Sequence, residues 1–321
     1  MVSPIADDAH VTLVRAPNPS PMTLTGTNSY LLDCGAGTAL VIDPGPPLER
    51  HVRALLDAAA RRQLAVAAIA ITHGHPDHAP AAALLSRATG AAIYAHPRSA
   101  VAHDRDLPLD GALRVGEREL HVMDAPGHTF DHVVFYDPTA LTLFTGDVIL
   151  GEGTVVIAPP GGAMRPYQRT LERLAREFPQ ARTIRGGHGP LVADAQAKIA
   201  EYVAHRKWRE AQLLDILSHG PQTIPELVER IYADTQTALW PAAARQLMAY
   251  LEALTEEGRV VASPVERPLN APESAMLNPD WASLVEAELA IVIEAELGTA
   301  HRIERLDRYA LSPREHDLAE L

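Results

Sequence analysis

The chain has 321 residues and a formal charge of −13, with 47% hydrophobic and 21% charged side chains. That balance is ordinary for a globular protein with room for one large domain and a smaller one. It excludes a membrane-spanning chain, because no uninterrupted apolar stretch reaches bilayer length, and it offers none of the basic stripes that bind polyanions. The acidity is concentrated in residues 265–321, which hold 5 basic and 12 acidic side chains. The single cysteine, Cys34, has no internal disulfide partner and is expected as a small core residue in a reducing, cytoplasmic setting. Residues 1–10 carry two aspartates and no apolar core, so no signal peptide is expected.

In chain order, apolar runs at 11–14, 30–32, 39–42, 66–71 and 92–94 predict strands, and residues 48–62 and 165–178 have the spacing of amphipathic helices. The run 66–71 leads into Thr72-His73-Gly74-His75-Pro76-Asp77-His78. His73 and His75, two apart in extended backbone, point to one side and can share a metal ion. Asp77 and His78 come as the helical stretch 79–87 begins, so they aim elsewhere and can serve a second ion. Imidazole and carboxylate donors suit zinc, and also manganese or iron.

Three further turns carry donors at the ends of expected strands: Gly127-His128-Thr129 after 120–124, Gly146-Asp147 at the end of 141–145, and Gly187-His188-Gly189 after 182–184. His73, His75, Asp77, His78, His128, Asp147 and His188 make seven donors. One structural zinc needs four, so seven argue for two divalent ions in a catalytic arrangement.

The segment His73–His78 resembles the HxHxDH signature of the metallo-β-lactamase superfamily. That resemblance implies a four-layer αββα sandwich of α+β class, with His73, His75 and His128 on one ion, Asp77, His78 and His188 on the other, and Asp147 between them. It implies that Asp43, in Val41-Ile42-Asp43-Pro44-Gly45, supports the ligand loops, and that Asp77 orients a hydroxide generated on the ions. Gly26-Thr27-Asn28-Ser29-Tyr30, the run 146–154 and residues 199–212 resemble the β-lactamase-like protein 2 group, which adds a winged-helix domain. His132, four residues after His128, is a candidate outer partner. Asn28 and Tyr30 are expected to order a loop, and His96, His103, His121 and His205 to be packed or surface side chains.

Residues 195–217 predict a long helix, followed by helices near 224–228 and 241–257 and a short strand at 258–261, a winged-helix order. Its bland reading, a structural cap or dimer surface, is preferred over nucleic-acid binding because the segment is acidic. Prolines 264, 268, 272 and 279 have linker-like spacing, with a helix expected at 281–297 and a strand at 303–311. The expected divisions are therefore a hydrolase domain at 1–192, a winged-helix-like domain at 193–264 and an acidic extension at 265–321, the last a possible homodimer surface.

The expected activity is metal-dependent hydrolysis of a small-molecule acyl ester, thioester or lactam. Two alternatives stand beside it: a single-strand RNA endonuclease, as animal members of the resembled group are described, and a winged-helix regulator with a metal sensor site. The leaving-group acid is not identifiable from sequence.

Overall fold

The computed structural model describes residues 10–281, 287–298 and 302–313. Six strands form a first sheet in sequence order: β1 (Val11–Arg15), β2 (Asn28–Asp33), β3 (Thr38–Ile42), β4 (Ala65–Ala70), β5 (Ala92–Ala95) and β6 (Arg105–Asp106). β1 to β3 run antiparallel and β3 to β6 parallel. The parallel steps need crossovers, and α1 (Glu49–Arg61) and α2 (Ala81–Thr89) provide two of them.

A second sheet contains β7 (Gly111–Val115), β8 (Arg118–Asp124), β9 (Val133–Asp137), β10 (Thr142–Gly146) and β11 (Thr183–Gly186), in the order β11-β10-β9-β8-β7. β9 was not among the expected strands. Its run Val133-Val134-Phe135-Tyr136 follows His132 without a turn residue, so in sequence it merges with the ligand loop.

Alternating side chains divide each strand between two cores. Leu31, Val41 and Ile69 pack with Leu55 of α1 and Leu85 of α2. Leu32, Leu40 and Ile42 face the other way and pack with Leu113, Leu120, Val122, Phe135 and Phe144 of the second sheet. Outside that sheet runs α3 (Met164–Glu177): Arg173 donates to the Asp124 carbonyl at 2.9 Å, and the Phe178 ring meets Tyr136 at 4.7 Å. The result is the expected helix–sheet–sheet–helix order. Cys34 is buried in the inter-sheet core.

β3, β4, β8, β10 and β11 all end at one edge of this sandwich, since β8 and β10 are each antiparallel to β9 and β11 is parallel to β10. Every donor-bearing turn is therefore delivered to the same edge.

His51 in α1 is 1% exposed; its Nε2 lies 2.8 Å from Ser29 Oγ, and its Nδ1 has no hydrogen-bond partner. Burial pushes its pKa down to about 4 from the ordinary 6.5. The folded chain thus refuses a proton that the unfolded chain accepts, so stability is fully present above about pH 6.5 and is lost as pH falls toward 4. Urea unfolding of the metal-free protein at pH 7 and pH 5 should show the loss shrinking in His51→Gln by roughly 2 kcal/mol.

After α4 (Ala195–Ser218) come β12 (Gln222–Thr223), α5 (Ile224–Ile231), α6 (Trp240–Glu256), β13 (Val260–Pro264), α7 (Ala271–Leu277), α8 (Ala287–Leu297) and β14 (Asp307–Leu311). The Glu226 carboxylate accepts from both the amide and the hydroxyl of Thr223, closing the start of α5. The three strands pair in the order β12-β14-β13, so the late strand β14 lies in the middle of the wing sheet, with Tyr309 opposite both Gln222 and Ala262. The prolines do not mark a plain linker: Pro272 sits in the first turn of α7, where its missing N–H costs nothing. Asn270 and Glu273 cap that turn reciprocally, each bond 2.9 Å. Of the helix expected at 281–297, residues 282–286 lie outside the described residues.

Contacts divide the chain into one compact unit of Met1–Val155 with Thr170–Ala200 and a second of Val156–Arg169 with Glu201–Leu321. β14 joins the wing sheet, and the segment from Val156 to Arg169 falls in the second unit. Among the described residues no helix is long and apolar enough to cross a membrane.

Candidate metal centre

β4 ends at Ala70, and the chain turns so that His73, His75, Asp77 and His78 leave it within six residues. His73, Asp77 and His78 are buried, while His75 is half-buried. His128, from the turn after β8, brings its Nε2 to 3.1 Å from His75 Nδ1, which is also 3.0 Å from His73 Nε2. These three imidazoles form one group. Asp77, His78 and His188 form a second: His78 Nε2 and His188 Nε2 are 3.3 Å apart, and Asp77 Oδ2 lies 3.4 and 3.2 Å from them. Asp147 stands between. Its Oδ1 is 3.4 Å from His78 Nε2, and its Oδ2 is 3.3 Å from His188 Nε2 and 3.9 Å from His128 Nε2.

The surrounding hydrogen bonds decide which ring nitrogens face inward. Asp43 accepts the Thr72 amide at Oδ1 and the Thr72 hydroxyl at Oδ2, each at 2.7 Å. That hydroxyl has one proton and gives it to Asp43, so at 3.0 Å it accepts from His73 Nδ1–H and leaves the His73 Nε2 lone pair toward the group. Asp43 Oδ2 also accepts from His78 Nδ1–H at 2.9 Å, which leaves His78 Nε2 inward by the same logic. Asp43 takes a left-handed backbone, φ +50°, at this point. His132 stacks on His73, ring centroids 4.6 Å apart, and its Nε2 accepts the Asp147 amide at 3.1 Å. It orients a donor without joining either group.

Asn28 and Tyr30 behave as a loop brace. Asn28 Nδ2 donates to the carbonyls of Gly186 and Gly189, and Tyr30 Oη donates to Gly186 at 2.7 Å. Thr27 was passed over in sequence, although it sits in the same motif: its hydroxyl donates to Asp77 Oδ2 at 2.9 Å. Nothing in its local sequence could reveal a partner 50 residues away. Of the four histidines expected to be bystanders, His96 is buried with Nε2 3.3 Å from Asp124 Oδ1, and His103 pairs with Asp106.

These residues fit a pair of divalent cations. Around a tetrahedral zinc, donor atoms stand about 3.3 Å apart, and the distances within each group are of that size. Asp77 Oδ1 is buried with no hydrogen-bond partner, a costly arrangement unless something positive faces it. The titration of the rings points the same way. Burial alone would lower His78 and His188, but the neighbouring carboxylates outweigh it, holding His78 well above the ordinary imidazole value and His188 at about 10. Without a metal, these two rings would carry the positive charge that the carboxylates call for, the charge a divalent cation would otherwise supply. Burial, reinforced by adjacent imidazoles, holds His73 and His132 far below the ordinary value, so their lone pairs stay available.

A two-sheet sandwich with buried His and Asp side chains suited to metal ions gathered at one edge is the build of a metal-dependent hydrolase class. Residues 22–188 match the metallo-beta-lactamase superfamily and residues 223–265 the beta-lactamase associated winged helix domain, and the chain belongs to that superfamily. It is 31% identical over 272 residues to a Drosophila melanogaster beta-lactamase-like protein 2 homolog, covering 77% of this chain and 88% of that one. It is 29% identical to an atrochrysone carboxyl ACP thioesterase from Claviceps purpurea, covering 69% and 72%. Among solved structures, a metallo-beta-lactamase family protein from Thermus thermophilus superposes with a TM-score of 0.65 at 26% identity, covering 79% of this chain and 96% of that one. The chain is a hydrolase of this superfamily.

Proposed function

We propose that the protein is a two-zinc hydrolase of small acyl thioesters. The observation that carries the reading is the sharing of Asp147 between the two donor groups, its two oxygens 3.3 to 3.9 Å from nitrogens of His78, His188 and His128. We assign His73, His75 and His128 to one ion, Asp77, His78 and His188 to the other, and Asp147 to both. The ions, when bound, would supply an activated water and a Lewis-acid contact for the thioester carbonyl.

The chain's own residues set up that chemistry. Asp43 and Thr72 hold His73 and His78 in the tautomers that present Nε2, and His132 fixes Asp147 through its amide. Asp77 Oδ2 belongs to the second group, while its buried Oδ1 makes no bond within the protein and is free to take a proton from, and orient, the attacking water. Phe130, 43% exposed two residues after His128, offers apolar surface for an acyl chain. The thioester, among acyl substrates, is favoured by the relative named as a carrier-protein thioesterase.

The winged-helix unit is read as scaffold. In helix–turn–helix proteins the second helix enters the major groove. Here that helix is α6, and 12 of its 17 residues are buried. Arg245 on α6 points inward and donates to the Leu277 carbonyl of α7 at 3.1 Å.

The test combines metal analysis with a panel of short acyl thioesters and a single-stranded RNA. About two zinc ions per chain are expected, with thioester turnover that a chelator abolishes and zinc restores. Chains that carry no divalent metal would end the reading. RNA cleavage that falls steeply with added salt, without thioester turnover, would make the protein a nuclease instead.

A further inference from the structure

Asp77 owes its orientation to a loop that carries none of the seven donors. Thr27 and Asp77 are both fully buried, and the Thr27 hydroxyl lies 2.9 Å from Asp77 Oδ2. The direction of that bond is determined by Asn18, which grips Thr27 with both ends of its amide. The Thr27 amide donates to Asn18 Oδ1 at 3.0 Å, so the other end of the Asn18 side chain is its NH2 group, and this donates to Thr27 Oγ1 at 3.0 Å. An oxygen that accepts from Asn18 turns its single proton to Asp77.

The loop is itself held rigidly. The Thr23 hydroxyl donates to the Asn18 carbonyl at 2.5 Å, and the Ala16 amide donates to the Thr27 carbonyl at 2.8 Å. Gly26 takes φ +119°, and a Cβ there would meet the Ala16 carbonyl at 2.1 Å. The backbone of Thr27 also bridges to His188, a second member of the same donor group.

We infer that Asn18 and Thr27 are positioning residues that lock the Asp77 carboxylate, so that Oδ2 serves the second ion and Oδ1 stays free for the attacking water. A carboxylate torsion is broad and roughly two-fold when nothing holds it. With the lock removed, the two oxygens of Asp77 exchange roles, and both ion binding and water orientation suffer. Thr27 contributes as a hydrogen-bond donor to a metal-ligating carboxylate, a type of outer partner whose loss lowers metal affinity about 10- to 100-fold. The inference rests on the metallohydrolase reading above.

The experiment compares wild type with Thr27→Val, which keeps the shape and removes the hydroxyl, Thr27→Ser, which keeps the hydroxyl, and Asn18→Ala. Zinc affinity is measured by competition with a chromophoric chelator, thermal unfolding on the metal-free proteins, and kcat and KM on the best thioester. Thr27→Val should bind one of its two zinc ions about 10-fold or more weakly and lose kcat with little change in KM. Thr27→Ser should restore both, and Asn18→Ala should fall between. Thr27→Val with wild-type affinity for both ions overturns the inference, whatever its melting temperature, because the residue is then structural only. So does Thr27→Ser behaving like Thr27→Val. The chelator titration needs no substrate, so failure of the thioester assignment leaves this result readable. A wild type that binds no zinc removes the metal reading and the inference together.

Discussion

Asp147→Ala should abolish acyl hydrolysis and leave fewer than two metal ions per chain, a larger loss than any single histidine substitution produces. Under the proposed assignment each histidine would serve one ion, whereas Asp147 approaches His78 through one oxygen and His188 and His128 through the other. On that assignment its removal would withdraw a ligand from both ions at once. It also withdraws negative charge from a buried cluster of imidazoles, which then repel a second cation more strongly. The loss in kcat/KM should exceed the roughly 100-fold typical of an outer-shell change. Metal analysis by mass spectrometry and steady-state kinetics at matched protein concentration give the answer. Activity equal to wild type would remove the binuclear assignment altogether.

Gly187→Ala should be nearly as damaging, although glycine has no donor to lose. A Cβ at that position would stand 2.3 Å from Asp147 Oδ1 and 2.5 Å from His78 Cε1. Neither neighbour is the loose end of a long side chain. His78 is held by Asp43, and Asp147 follows a strand whose end is fixed by the bond from the Gly187 amide to the Gly146 carbonyl at 2.7 Å. The added methyl must displace Asp147 or His78, or move the Gly186–Gly189 loop that carries His188. Overpacking of this kind costs about 1–3 kcal/mol of stability. The larger effect is expected in zinc affinity, measured by chelator competition. A variant that binds two ions normally would mean that the loop yields more easily than its bonds to Asn28 and Tyr30 imply.

The seven candidate donors were legible because each stands in a short Gly-bearing turn immediately after an apolar run, a local pattern that needs no knowledge of contacts. The sandwich was legible through the resemblance those turns carry, not through periodicity. The wing sheet was not. β14 pairs with β12 and β13 across more than 80 and 40 residues of chain respectively, and a five-residue strand carries no mark of which partner it will join. Pro272 misled for a related reason. A proline reads as a breaker in isolation, and only the capping bonds of Asn270 and Glu273 make it the start of a helix.

What the sequence by itself determined is the inventory: which side chains can donate to a metal, and that they sit at strand ends where backbone turns can aim them. The tertiary structure decided how that inventory is used. Five strand ends reach one edge only because β3 and β4 are parallel in one sheet, and β8, β10 and β11 in the other. Asp43 and Thr72 select the ring nitrogens of His73 and His78 through hydrogen bonds that exist only after packing. Thr27 comes to Asp77 because β2 is a neighbour of β3 rather than because anything near residue 77 calls for it. Side-chain chemistry is a local property and is written in the chain; the direction a lone pair faces depends on partners that folding brings from elsewhere.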